Sequence, residues 1–324
     1  MKNQIKKIVI SFGLIIGLAS QTHSVLASEV IVTIPPLHSL VQGVMGNTGK
    51  AILLIQNDTS PHDYQLKPSV ISLLHKAKIV FYISDSLEIS VVRALDVLPQ
   101  KVRKVPMIDR QGVTTFKLRA DEDWEKHDHA THSENDGTVN RHQGHEEHHD
   151  VEGTGDPHIW LDPNNAIVMI KAITRELSII HPENRSFYKV NALSLISNIE
   201  AIEKEIETLL VPIKGIPFIV FHDAYQYFEK HYNLTAVGSI VLNPSHPTSV
   251  KRIKGLRRKV KKSGAVCIFR EPQFSNKLSI LIADETNAKL ATIDPIGADL
   301  KPGADLYPSM LMGIARSLRS CLLT

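Results

Sequence analysis

The chain has 324 residues, 43% hydrophobic and 22% charged. That composition suits a globular protein of two ordinary domains and excludes a disordered chain. The formal net charge of +3 sits entirely in Lys2, Lys6 and Lys7, because the first 27 residues hold no Asp, Glu or Arg. Without them the net charge is zero, so no electrostatic case exists for nucleic acid.

Those first residues have the order of a secretory signal. A Lys-bearing start leads into the apolar run Ile8 to Ala19, and Val25-Leu26-Ala27 offers a small-residue cleavage site before Ser28. The run is short of the roughly 20 residues of a membrane span. The expectation is a signal peptide over 1–27, export to the periplasm, and a mature chain without a membrane anchor.

From there short apolar runs alternate with helical patterns. Glu29 to Ile34, Ala51 to Gln56 and Ile79 to Ser84 read as strands, with helices at Leu37 to Gly46 and Lys67 to Ala77. Alternation of this kind implies a parallel sheet with crossover helices. Residues 121–155 break the pattern. They carry His127, His129, His132, His142, His145, His148 and His149 among acidic and small residues, with no apolar periodicity. Such a tract reads as a disordered, auxiliary metal-binding loop.

Pro182 to Leu210 holds no internal Pro or Gly. Tyr188, Ala192, Leu195, Ile199, Ile202, Ile206 and Leu209 recur at steps of four and three, which predicts one long helix. Beyond it the first pattern repeats. Phe218 to Phe221, Thr235 to Val241, Ala265 to Phe269 and Leu290 to Ile293 read as strands. Helices are expected at Ala224 to His231, Thr248 to Lys262, Leu278 to Asn287 and Pro308 to Leu322. The fold class is therefore α/β, with two lobes, each a parallel sheet flanked by helices, joined by one long rigid helix. The boundaries are 28–181, 182–211 and 212–324.

The two cysteines, Cys267 and Cys321, suit one disulfide in an oxidising compartment. It closes a loop of 54 residues, worth about 4 kcal/mol in the chain-entropy model.

Three His stand in unusual settings. His62 lies in Ser60-Pro61-His62-Asp63, after the strand at 51–56. His158 lies in Asp156-Pro157-His158, and His222 directly follows the strand Phe218 to Phe221. His62 and His222 are near the C-terminal ends of parallel strands, where open α/β sheets bind ligands. A lone His at such a place is more often structural. Three of them with a His-rich tract in an exported chain favour a metal site in the cleft between the lobes. Spacing alone does not separate transport from hydrolysis, since a catalytic zinc also uses three protein ligands.

Five stretches carry a resemblance: SPHDYQLKPS at 60–69, DPHIWLDP at 156–163, VFHDAYQYFEK at 220–230, FREPQF at 269–274 and DPIG at 294–297. Together they resemble the ZnuA-like zinc-binding proteins of bacterial ABC importers, over nearly the whole mature chain, and the cysteine pair matches too. The resemblance implies a Zn2+-binding transport protein, not an enzyme, that delivers its metal to a membrane permease with a cytoplasmic ATPase and works as a monomer. It assigns His62, His158 and His222 as ligands, with Asp294 or water fourth. A His at 222, where manganese-type relatives carry Glu, favours zinc. Pro61 replaces the acidic residue that some zinc members have before the first His. Glu271 is expected to hydrogen-bond near the site. Asp63 and Asp223 are expected either to orient imidazoles or to cap turns. A manganese or iron carrier, a zinc hydrolase and a storage protein are the readings left beside it.

Overall fold

The computed structural model describes residues 29–56, 58–119, 155–241, 244 and 248–323. The signal segment and the seven His of the 121–155 tract lie outside the described residues.

Two four-stranded parallel sheets form the frame, as the alternating pattern implies. The first is ordered β2-β1-β3-β4, with β1 Val30–Val32, β2 Ile52–Leu53, β3 Ile79–Tyr82 and β4 Arg103–Pro106. The second is ordered β6-β5-β7-β8, with β5 Pro217–His222, β6 Thr235–Val241, β7 Cys267–Arg270 and β8 Lys289–Thr292. In each the chain leaves a central strand toward one edge and returns to its other side. The crevices outside the strand ends at β1/β3 and β5/β7 are therefore topological switch points.

Helices α1 (Pro35–Met45), α2 (Pro68–Lys76) and α3 (Ile89–Asp96) belong to the first sheet. Helix α4 (Pro163–Ile180) follows, with the Asp162 side chain accepting from Asn164 N at its start and Pro in its first turn. Helix α5 (Arg185–Leu210) is the long one, begun by a tight 3-10 turn at Pro182–Asn184. Helices α6 (Gln226–Tyr232), α7 (Val250–Ser263), α8 (Lys277–Thr286) and α9 (Leu306–Leu323) complete the second half. Strand β4 and helices α3 and α4 were absent from the sequence expectation. Charged Arg103 and Lys104 with Pro106 hide a strand that only an edge position tolerates. In α3, β-branched Ile89, Val91 and Val92 read poorly as helix until Val91 and Leu95 are buried in the main core.

Helix α5 buries the predicted stripe Tyr188, Ala192, Leu195, Ile199 and Ile206. At 26 residues it is about 39 Å long. It packs on α1 and α4 from the first half and on α9 from the second. The approach to α1 is close, since a Cβ at Gly43 would lie 2.8 Å from Leu195 Cδ2. One hydrophobic core runs from the first sheet through α5 to the inner face of the second sheet. A smaller cluster, including Ile219, Ile240, Leu256 and Ile282, lies between the second sheet and helices α7 and α8. Tyr307 Oη donates to the Trp160 carbonyl at 2.8 Å, and Trp160 Nε1 to the Pro295 carbonyl at 2.7 Å, pinning the halves beside the cleft.

Cys267 on β7 and Cys321 on α9 form the disulfide, with Cα atoms 6.3 Å apart. It fastens the last helix to a central strand of the second sheet.

Candidate metal centre

The second switch point supplies the first imidazole. His222 ends β5, and Glu271 follows β7 beside it. The Glu271 carboxylate Oε1 accepts from His222 Nδ1 at 2.8 Å. Both groups are almost fully buried.

His158 comes from the segment entering the 3-10 turn Ile159–Leu161. Asp156 Oδ1 accepts from His158 Nδ1 at 2.7 Å and from its backbone N at 3.0 Å. Asp156 Oδ2 also accepts from Gln226 Nε2 at 3.0 Å. His62 sits in the 3-10 turn Pro61–Asp63 after β2, where Ser60 Oγ accepts from its backbone N. It is half-buried, the most open of the three.

The three rings converge. Nε2 of His158 is 3.2 Å from Nε2 of His62 and 3.3 Å from Nε2 of His222. One ligand atom from each of the three lies within 4.8 Å of the others, and no other such group of His, Cys, Asp or Glu occurs among the described residues. Pro61, Trp160, Phe274, Pro295 and Ile296 wall the pocket.

The electrostatics suit a cation. Burial first, then repulsion by His158 and His222, holds the His62 imidazole well below the usual 6.5. Burial, then His222, does the same to His158. Both rings are therefore neutral at neutral pH. Burial pushes the Asp156 carboxyl up to about 6, against the hydrogen bonds that favour its charge. It is still largely ionised at neutral pH and accepts the Nδ1 proton of His158. With Nδ1 protonated on His158 and His222, each Nε2 presents a lone pair to the other.

Asp294 is placed otherwise. Its Oδ1 accepts from Gln273 Nε2 at 2.8 Å, Ile296 N at 3.1 Å and Gly297 N at 3.0 Å, and its Oδ2 from Ala298 N. The carboxylate organises the turn through Gly297, whose φ of +77° suits glycine, and does not join the imidazole group. Asp63 is exposed and backs no imidazole. Asp223 pairs with Arg119.

Arg119 was invisible in the sequence. Its guanidinium bonds both Asp223 and Glu229, and the Arg and both carboxylates are largely buried. Lys117 and Gly155 pair in an antiparallel bridge just behind it. The Tyr227 hydroxyl donates to the Asp156 carbonyl at 2.6 Å and accepts from Phe116 N at 3.1 Å. The two ends of the His-rich tract are thus held together on the second lobe, next to His158 and His222. Asp156 lay open to local reading, two residues before His158. The partners at separations of 49 and 104 residues did not.

Known proteins resemble the chain over its length. The family model described as "Zinc-uptake complex component A periplasmic" matches residues 30–321. The high-affinity zinc uptake system protein ZnuA of Brucella abortus (strain 2308) is 36% identical over 319 residues, covering 94% of this chain and 96% of its own. The protein of the same name from Yersinia pestis is 30% identical over 304 residues, with 92% of each covered. Among solved structures, a crystal structure of ZnuA superposes with a TM-score of 0.72 at 24% identity, covering 91% of this chain and 98% of that one. A zinc-bound ZnuA deletion mutant gives 0.73 at 24% identity, with the same coverage. At that identity the two structures speak to the fold.

Proposed function

Because the chain belongs to the ZnuA family, the periplasmic component A of zinc-uptake complexes, we infer that it captures Zn2+ as cargo and delivers it to the permease of an ABC importer. One observation carries the site assignment. Three Nε2 atoms face one another, two of them with Nδ1 committed to a buried carboxylate. The lone pairs of His158 and His222, 3.3 Å apart, repel unless a cation lies between them, and His62 Nε2 stands 3.2 Å from His158 Nε2. Tetrahedral zinc with Zn–N bonds of about 2.0–2.1 Å spaces its nitrogens about 3.3 Å apart. The separations already present match that spacing.

The ligands on this reading are Nε2 of His62, His158 and His222, with water in the fourth position, since Asp294 is engaged by backbone N–H groups. The buried pair His158 and His222 holds the metal from the closed side, and His62 completes it from the open side. Imidazole nitrogen suits zinc better than manganese, which prefers oxygen. The carboxylates of Asp156 and Glu271 bond Nδ1, on the side of each ring away from the metal position. They serve to hold and orient the rings. All three ligands come from one chain, so a monomer suffices. Among the described residues no helix is long and apolar enough to cross a membrane. On this reading residues 1–27 direct export and are cleaved off after Ala27, leaving the mature chain in the periplasm facing the permease, whose ATPase lies on the cytoplasmic side.

The test is a chelator-competition titration of the mature protein with zinc and manganese. A tight zinc site with weak manganese binding is expected. His158→Ala and His222→Ala should each weaken zinc by more than the about 10–100-fold typical of an outer partner. Tight manganese binding, or zinc affinity indifferent to both substitutions, would sink the assignment.

A further inference from the structure

Helix α7 is chemically unlike the rest of the surface. Eight of its fourteen residues are Lys or Arg and none is acidic, although the chain without its first 27 residues has no formal net charge. Its inner face is accounted for. Leu256 and Val260 are buried, Arg252 donates to the carbonyls of Ile240 and Ser239, and Arg257 pairs with Glu285. Lys251, Lys254, Arg258 and Lys261 are exposed and have no ion-pair partner among the described residues. At 3.6 residues per turn these four fall within about 100° of arc, opposite the buried pair, along about 15 Å of helix. Like charges three and four residues apart, and cations in the first turn, both disfavour the helix. Surfaces built only for solubility mix the two signs.

We propose that this outer face of α7 is a docking surface for the anionic headgroups of a phospholipid bilayer. The shape argues for a plane. The stripe lies on the outer, convex side of a helix that covers the second sheet. Three of its four cations are Lys, hydrated point charges on flexible stems that suit diffuse attraction to an anionic surface. Val250 at the start of the helix is 69% exposed, and Ile280 and Leu281 on the adjacent α8 are also exposed. Basic residues edged by apolar ones suit the interface of a charged bilayer. The proposal rests on the reading of the chain as a component of a membrane importer. A carrier held near the bilayer searches for its permease in two dimensions. Each cation adds about five-fold to adsorption on an anionic surface, and the attraction fades beyond a Debye length.

The test is co-sedimentation of the full mature protein, zinc-loaded, with phosphatidylcholine vesicles and with phosphatidylcholine–phosphatidylglycerol vesicles at low and physiological salt. Salt-sensitive binding to the anionic vesicles alone is expected. The variant K251Q/K254Q/R258Q/K261Q should lose about 100-fold or more in partition coefficient while its zinc affinity is unchanged. If that variant folds poorly, K254Q/R258Q gives the same reading with a smaller loss. Equal binding to neutral vesicles, no binding to anionic ones, or a variant that binds like the native chain would overturn the proposal. Binding to an acidic protein without binding to lipid would overturn it too. The zinc titration is independent, so failure of the carrier reading would show there and not in the vesicle data.

Discussion

Asp156 and Glu271 each accept a hydrogen bond from the Nδ1–H of a buried imidazole and thereby turn its Nε2 toward the other rings. A neutral imidazole can donate from only one nitrogen, so the carboxylate behind it selects the tautomer that binds metal. Glu271→Ala and Asp156→Ala should weaken zinc about 10–100-fold, and Glu271→Gln, which keeps an acceptor without the charge, should lose less. Unchanged affinity in Glu271→Ala would refute the orienting role. The pH dependence belongs to the same atoms. Free imidazole would place the loss of zinc near pH 6.5, as the sequence suggests. Burial holds His62 and His158 lower, so protons should compete for the metal only further into acid. Affinity should hold from about pH 8 to about 6.5 and fall below about 6, as Asp156 also gains its proton. A loss already complete at pH 6.5 would contradict the depressed values. For the metal-free protein, the unfolded chain binds protons at these His before the folded one does, so their contribution to stability falls as pH drops below 6.5. Asp156 acts in the opposite sense between its ordinary 3.8 and about 6, because the folded carboxyl holds its proton there.

Elements meet at the site through their ends. β5 and β7 deliver His222 and Glu271 to one switch point because parallel neighbours finish side by side. In the first sheet the equivalent crevice holds Glu88, whose carboxylate accepts from the Thr33 hydroxyl and from the backbone N of Ile83 and Ser84. Burial pushes it up to about 7. Arg119 is the tie between the segment leading into the His-rich tract and α6. Arg119→Ala would remove the guanidinium that two largely buried carboxylates share, costing about 3–5 kcal/mol of stability. Because Asp223 adjoins His222, chelator-triggered zinc release should also quicken. Lys at 119 cannot serve both carboxylates and should restore little, whereas adding Glu229→Gln to Arg119→Ala should recover part of the stability. Release at the native rate in Arg119→Ala, measured by stopped flow, would separate the clasp from the metal site.

At the scale of the molecule, a shared core explains how two lobes keep three imidazoles together. Helix α5 and the Tyr307–Trp160–Pro295 chain pack both halves into a continuous interior, so wide opening would break buried contacts rather than flex a linker. The His-rich tract leaves and re-enters this body at Lys117 and Gly155, already paired. A chain lacking 121–154, which spares that bridge, should keep one tight zinc site and lose only weaker binding. Disappearance of the tight site in the titration would move the principal site into the tract. The alternating patterns, the apolar stripe of α5, the cysteine pair and the motifs around His62, His158 and His222 were legible in the sequence. Each is local, because periodicity and turn chemistry are written within a few residues. Helix α4 is signalled locally by Asp162-Pro163, while α3 and β4 carry local signals that tertiary packing overrides. Only the tertiary structure decided that Glu271 rather than Asp223 backs His222, that Asp294 serves a turn, that Arg119 clasps Asp223 and Glu229, and that the lobes share a core. Those outcomes depend on which strand ends and side chains two packed sheets bring together across tens of residues, and no local pattern encodes that choice.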